Sequence, residues 1–231
     1  MRLSIFRYNP EVDQSPYMQD YEVALQPGDR MLLDVLMRIR EQDDSLTFRK
    51  SCREGVCGSD GMNINGRNGL ACVTPLSGLM EPVVLRPLPR FSVVRDLVVD
   101  LTGFFQQYSS IKPYVINHDP APEKERLQSP QERARLDGLY ECILCACCTG
   151  FCPSYWWNPD KFLGPATLLQ AMRFIADSRD QATEERLAVL DDPYKLFRCR
   201  SIMNCTEVCP RRLNPARAIE HIRTEMMRKG L

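Results

Sequence analysis

Histidine is almost missing from this chain of 231 residues: only His118 and His221 are present. That scarcity argues against most histidine-based metal and haem sites. Net charge is missing too, because Lys+Arg (30) balance Asp+Glu (30). A neutral chain has no basic field with which to attract nucleic acid as its main partner. No stretch approaches the ~18 uninterrupted apolar residues of a membrane span. Met1-Arg2-Leu3-Ser4-Ile5 runs straight into alternating sequence without the apolar core or cleavage site of a secretory leader. The sequence also has no phosphate-binding P-loop, no dinucleotide glycine motif and no nucleophile–base constellation. What remains is cysteine, with 11 residues. An odd number cannot pair completely within the chain. Cys142, Cys145, Cys147, Cys148 and Cys152 are also too crowded for the separated, facing Cβ vectors of disulfides. A reducing compartment and metal-ligating thiolates are therefore expected.

The hydrophobic fraction of 44% is enough for a real core. Periodicity divides the chain. In the first half, Leu3, Ile5 and Tyr8 alternate as a strand, with residues 21–25 as the expected hairpin partner. Gln26-Pro27-Gly28-Asp29 reads as a turn, with Asp29 a candidate N-cap. Leu32, Leu33, Val35, Leu36 and Ile39 then recur at helical spacing over 31–40. Glycine-rich loops cover 51–69, within which 63–66 reads as a strand ending in a turn, and 83–88 is a last short strand. From Asp96 onward the pattern is helical through Leu97, Val98, Leu101, Phe104, Phe105 and Tyr108. A polar, proline-bearing loop follows over 117–130. Helices are expected near 131–140, 165–178 and 184–190. A final helix follows Asn214-Pro215, with Ala218, Ile222 and Met226 on one face. The expected class is α+β: a small ferredoxin-like domain over 1–105 and a helical domain over 106–231.

The first cysteine group is Cys52-x4-Cys57-x2-Asp60-x11-Cys72. Plant-type [2Fe–2S] ferredoxins space their ligands C-x4-C-x2-C with a later cysteine. Here the third place belongs to Asp60, whose carboxylate is a harder iron ligand than a thiolate. Gly55, Gly58, Ser59 and Gly61 let backbone amides approach the sulfurs and stabilise a more negative, reduced cluster. Two other readings stay open: a loop with buried cysteines and a solvated aspartate, or three thiolates and a carboxylate around zinc.

Cys142-x2-Cys145-x2-Cys148-x3-Cys152-Pro153 matches the bacterial ferredoxin run, in which the fourth cysteine serves the other cluster of a pair. Cys199-x5-Cys205-x3-Cys209-Pro210 is a second such run with Ile202 where a cysteine would stand. Crossing over the fourth ligands assigns Cys142, Cys145, Cys148 and Cys209 to a [4Fe–4S] centre. Cys152, Cys199 and Cys205 are left for the other, and three thiolates with an apolar Ile202 at the empty corner suit [3Fe–4S]. Cys147 falls outside the ligand spacing and reads as a buried small hydrophobe. A redox dithiol at Cys142-x2-Cys145 is the alternative that the continuing run disfavours. A chain with three redox centres and no substrate site reads as an electron conduit.

At this point the sequence resembles a known family, the iron–sulfur subunit of bacterial succinate dehydrogenase. The resemblance is carried by Ser51-Cys52-Arg53-Glu54-Gly55-Val56-Cys57-Gly58-Ser59-Asp60-Gly61 and Arg95-Asp96-Leu97-Val98-Val99-Asp100. It continues in Leu139-Tyr140-Glu141-Cys142-Ile143-Leu144-Cys145-Ala146-Cys147-Cys148 and Pro153-Ser154-Tyr155-Trp156-Trp157-Asn158-Pro159, then in Ser201-Ile202-Met203-Asn204-Cys205 and Asn214-Pro215. It implies a plant-type ferredoxin (β-grasp) domain followed by an all-α, bacterial-ferredoxin-like domain. It also implies a complex in which a flavoprotein subunit with covalent FAD oxidises succinate. Electrons then pass through [2Fe–2S], [4Fe–4S] and [3Fe–4S] to ubiquinone, beside membrane anchor cytochrome b subunits carrying haem b. The expected location is peripheral, on the cytoplasmic face of the bacterial inner membrane. By the same resemblance, Pro153, Ser154, Trp157 and Ile202 line a quinone pocket; for Trp157 an ordinary core or interface aromatic is the alternative. One departure stands out: family members commonly have histidine after the cysteine matching Cys199, and here it is Arg200. A guanidinium stays charged and cannot relay a proton as imidazole does. The expectation is that Arg200 supplies positive charge near the quinone or a haem propionate, with a surface ion pair as the alternative. Other readings of the chain are the subunit of a quinol:fumarate reductase running in reverse, a free multi-cluster ferredoxin carrier, and a zinc-binding structural module.

Overall fold

The computed structural model describes residues 1–230 and falls into two compact units. Met1–Leu101 together with Ile143–Phe151 forms the first; Thr102–Cys142 with Cys152–Leu231 forms the second.

The first unit is built on a five-stranded sheet. Its strands are β1 (Arg2–Arg7), β2 (Tyr17–Glu22), β3 (Gly61–Ile64), β4 (Arg67–Leu70) and β5 (Val83–Arg86), in the order β2-β1-β5-β3-β4. β1 and β5 run parallel, and the other pairings are antiparallel. In β1 the alternation expected from the sequence buries Leu3, Ile5 and Arg7. An arginine in that series needs anionic partners: Nε donates to Asp96 at 3.1 Å and a terminal nitrogen donates to Asp43 at 2.8 Å. Helix α1 (Leu32–Gln42) buries the five apolar residues that its period picks out.

Four local expectations are corrected. The partner of β1 is 17–22 rather than 21–25, with Arg2 opposite Glu22 and Arg7 opposite Tyr17. β2 is an edge strand with no buried residue, so it needs no apolar face and carries no alternation to read. Asp29 does not cap α1. Its carboxylate accepts Gln26 N–H at 2.8 Å and pairs with Arg38 at 2.7 Å, while Asp34 accepts the Arg30 and Met31 amides. The segment after Asp96 is not yet helical. Short strands β6 (Val93–Arg95) and β7 (Val98–Val99) pair there, and helix α2 starts only at Thr102 (Thr102–Ser110). Buried Asp96 accepts Arg7 and the amides of Tyr8 and Thr47, which pins this stretch to the sheet. Finally, 61–70 is a hairpin rather than a strand followed by loop. Asn65 (φ 48°) and Gly66 (φ 85°) give the doubly left-handed turn that suits hairpin twist.

The second unit is helical. α3 (Pro130–Ala134), α5 (Pro153–Trp157), α6 (Gly164–Ile175), α7 (Thr183–Leu190), α8 (Asn204–Glu207) and α9 (Pro215–Lys229) belong to it with α2, whereas α4 (Cys147–Gly150) lies in the first unit. α6 is buried along nearly its whole length and packs against α9 and α7. α9 begins with Asn214 accepting Arg217 N–H at 2.9 Å and Pro215 in the first turn, and buries Ala218, Ile219, Ile222 and Met226. α3 is much shorter than the helix expected over 131–140, and residues 135–140 form turns. Among the described residues no helix is long and apolar enough to cross a membrane.

Candidate metal centres

Cys52, Cys57, Asp60 and Cys72 all lie in the first unit. Left-handed backbone at Arg53 (φ 65°), Gly55 (φ 73°) and Gly58 (φ 70°) curls the loop so that its amides face inward, as in an anion-binding nest. Cys52 Sγ accepts from the amides of Glu54, Val56 and Cys57 at 3.5, 3.4 and 3.2 Å. Cys57 Sγ stands 3.2 Å from Ser59 Oγ. Partial burial works against ionisation of Cys57, yet hydrogen bonds from Ser59 and the loop amides bring its thiol down to about 7. Cys72 behaves oppositely: burial, then the adjacent Asp60 carboxylate, push its thiol up to about 12. Asp60 is only 3% exposed. Its Oδ2 accepts Cys72 N–H at 2.6 Å, whereas Oδ1 is buried with no hydrogen-bond partner. A buried carboxylate oxygen without a partner is costly unless something cationic meets it. Three thiols, this oxygen and converging amides are a donor set that fits an iron–sulfur cluster.

The two later runs repeat one another in backbone as well as in sequence. Cys199, Ile202, Cys205 and Cys209 occupy the places of Cys142, Cys145, Cys148 and Cys152 at a constant offset. Leu144 (φ 53°) matches Ser201 (φ 53°), and Ala146 (φ 62°) matches Met203 (φ 74°). A one-turn helix follows in each, α4 and α8, each entered from a left-handed residue. Left-handed backbone at non-glycine residues is strained and persists where its surroundings require it. Here it turns successive N–H groups toward the thiols. Thr149 and Thr206 also correspond, and each hydroxyl lies beside the preceding thiol, at 4.0 Å for Cys148. The signal that finds these hydroxyls is in the sequence, where Thr149 and Thr206 stand at the common offset of the two runs.

Cys152, Cys199 and Cys205 line one recess in the second unit, with about 330 Å³ of atom-free space, together with Pro153, Ser154, Arg200 and Ile202. Burial, with Cys152 and Cys199 close by, pushes the Cys205 thiol up to about 11; burial likewise raises Cys152. Arg223 on α9 donates to the Cys199 carbonyl at 2.8 Å and steadies this loop, a role no spacing rule reveals. Ser154 is buried, whereas Trp157 (63% exposed) and Ile202 (47%) present apolar surface outward. Trp157 does not line the recess that holds the other four proposed quinone residues. Arg200 is exposed, and among the described residues it forms no ion pair, the arrangement that the sequence offered as the alternative to a role at the quinone. In the remaining run, Cys145 and Cys148 belong to the first unit and Cys142 and Cys209 to the second. Leu213 N–H lies 3.4 Å from Cys209 Sγ, and the neighbouring Cys147 side chain lowers the Cys145 thiol. Cys147 itself is fully buried. Among the described residues no group of three or more His, Cys, Asp or Glu side chains is drawn together around one metal-ion position.

Comparison with known proteins agrees with this geometry. Residues 2–106 match the 2Fe-2S iron-sulfur cluster binding domain and residues 141–214 the 4Fe-4S dicluster domain. The succinate dehydrogenase iron-sulfur subunit of Coxiella burnetii is 61% identical over 230 residues, covering 99% of this chain and 98% of that one. The chain belongs to the succinate dehydrogenase iron–sulfur subunit family. The Paracoccus denitrificans subunit is 51% identical over 98% of this chain and 88% of its own length. The mitochondrial ubiquinone-type subunit 1 of Oryza sativa subsp. japonica is 54% identical over 95% and 80%. Among solved structures, a chain of the Mycobacterium smegmatis Sdh1 complex in the apo form superposes with a TM-score of 0.87 at 27% identity, covering 100% of this chain and 97% of that one. As a family member with both cluster-binding domains, the chain is an electron-transfer subunit of an enzyme complex. The α+β class, ferredoxin-like sheet first and helical domain second, is borne out.

Proposed function

We propose that this subunit holds [2Fe–2S] on Cys52, Cys57, Asp60 and Cys72, [4Fe–4S] on Cys142, Cys145, Cys148 and Cys209, and [3Fe–4S] on Cys152, Cys199 and Cys205. Its functional modules are 1–105 and 106–231. When bound, the clusters supply one-electron steps between covalent FAD in a partner flavoprotein subunit and ubiquinone at haem b-bearing membrane anchor subunits. The observation that carries this reading is the repeated cradle, with Ile202 standing where the first run has Cys145.

In this reading each residue has a defined task. The amides over Cys52 hold negative charge on sulfur and favour the reduced state. Asp60 contributes Oδ1 to iron while Oδ2 stays fixed by Cys72 N–H. Ile202 offers no ligand and keeps water from a fourth iron position. Pro153, Ser154 and Ile202 shape the quinone end of the recess and Arg200 adds fixed positive charge there, while Trp157, outside the recess, offers an exposed indole face to a headgroup. The exposed apolar side chains of Trp157, Ile202 and Met203 suit burial against an anchor subunit, which would hold the chain at the cytoplasmic face of the inner membrane.

Iron and acid-labile sulfide analysis with low-temperature EPR tests the assignment. The oxidised protein is expected to show a [3Fe–4S] signal, and stepwise reduction is expected to reveal the [2Fe–2S] and then the [4Fe–4S] signals. Zinc without sulfide would refute the proposal.

A further inference from the structure

The loop carrying Cys57 and Asp60 lies directly against the segment carrying Cys145, both within the first unit. A Cβ placed on Gly58 would meet Cys145 Cβ at 2.9 Å, Ile143 O at 3.0 Å and Cys145 Cα at 3.1 Å. One placed on Gly61 would stand 3.0 Å from Cys145 O, 3.5 Å from Cys147 Sγ and 3.5 Å from a Leu88 methyl. Gly58 has φ +70°, so backbone conformation alone already favours glycine there. Gly61 has no left-handed φ. Its requirement is close approach.

The opposing segment is fastened to the same hairpin that Gly61 opens. Asn68 on β4 donates to the Cys147 carbonyl at 3.0 Å, and Asn63 donates to Asn68 at 2.9 Å. At the far end, a Cβ on Gly150 would meet Phe91 and the Pro89 carbonyl, both at 3.1 Å. Gly61 itself opens β3 opposite Leu70, so a side chain pushed in there meets backbone held on both sides, and the two ligand-bearing segments must part.

We propose that Gly61, assisted by Gly58, is a positioning residue for electron transfer, setting the separation of the first two centres by keeping any side chain out of the contact between their ligand-bearing backbones. The proposal rests on the ligand sets given above. Its physical basis is that electronic coupling between redox centres falls exponentially with separation and magnetic dipolar coupling falls with the inverse cube. A displacement that leaves both clusters bound still weakens both couplings.

The test compares Gly61→Ala with Gly66→Ala in the assembled complex. Gly66 has φ +85° with nothing within 4 Å of its Cβ position, so its variant adds backbone strain without the contact. Gly61→Ala is expected to keep iron, sulfide and both EPR signals; because the 3.0 Å contact is relieved by a shift of a few tenths of an ångström, it is expected to narrow the [2Fe–2S]–[4Fe–4S] dipolar broadening in the fully reduced protein by a small, measurable fraction and to slow turnover modestly. Gly66→Ala is expected to keep the broadening. Full broadening in Gly61→Ala overturns the proposal while leaving the cluster assignment intact, whereas absence of either signal from the wild type defeats the assignment itself. Should Gly61→Ala fail to assemble, relaxation of the wild-type [2Fe–2S] signal decides: no enhancement on reducing [4Fe–4S] overturns the close approach.

Discussion

Asp60 Oδ2 accepts the Cys72 N–H at 2.6 Å, while Oδ1 of the same carboxylate is buried without a hydrogen-bond partner. One side chain thus has a structural oxygen and an oxygen free for iron. Asp60→Cys should retain the [2Fe–2S] centre with altered g values, because a thiolate replaces the oxygen ligand. Asp60→Ala should lose the two-iron share of metal and sulfide. Full retention in Asp60→Ala would show that the carboxylate is not a ligand.

Ile202 takes the place of Cys145 in the second cradle, where the backbone already has the shape for a thiolate. Ile202→Cys is expected to gain one iron per chain and to lose the oxidised-state [3Fe–4S] EPR signal. Quantitative EPR with iron analysis checks this. An unchanged signal would mean that the fourth corner is closed by something other than ligand chemistry.

Arg186 and Asp180 form a buried ion pair at 2.7 Å in the helical unit. Arg186 also donates to the carbonyls of Ile111, Lys112 and Tyr114. Burial opposes the charge on Asp180, yet Arg186 and the amides of Ile116 and Ala182 hold its carboxyl below the ordinary range. A carboxyl depressed in the folded state adds stability above its unfolded value of about 3.9. That contribution is lost as pH falls through the folded value. Thermal melts between neutral pH and about pH 3 should therefore show a decline at the acid end, flattened in Asp180→Asn. Arg186→Met leaves Asp180 and three carbonyls without their donor and should cost about 3–5 kcal/mol by denaturant titration.

Arg200 lines the recess with Cys199 and Ile202 and has no ion-pair partner among the described residues. Arg200→His should introduce a pH dependence of quinone reduction between about pH 5 and 8, where imidazole titrates. It should also change the affinity of quinone-site inhibitors. Unchanged kinetics, pH profile and inhibitor binding would remove Arg200 from the quinone end.

Local features were the legible ones. The α1 core face, the α9 start and the burial of Cys147 follow from periodicity, capping chemistry and ligand spacing, each written in consecutive residues. Three of the misreadings arise from the surroundings of a segment rather than from its own residues. β2 shows no alternation because it is an edge strand, and the segment after Asp96 is held extended by Arg7, Tyr8 and Thr47, which lie far away in sequence. Asp29 looks like a cap until Arg38 claims its carboxylate.

The sequence by itself determined the three cysteine groups, with Asp60 interrupting the first and Ile202 the third, and it pointed to iron–sulfur chemistry because such clusters draw ligands from short, fixed spacings. Only the tertiary structure decided that residues 143–151 fold with the ferredoxin-like unit, that Asn68 holds the Cys147 carbonyl, and that Gly61 leaves room for the Cys145 backbone. Those relations join residues roughly eighty positions apart, and contacts at that range arise from packing and burial, which no spacing motif encodes.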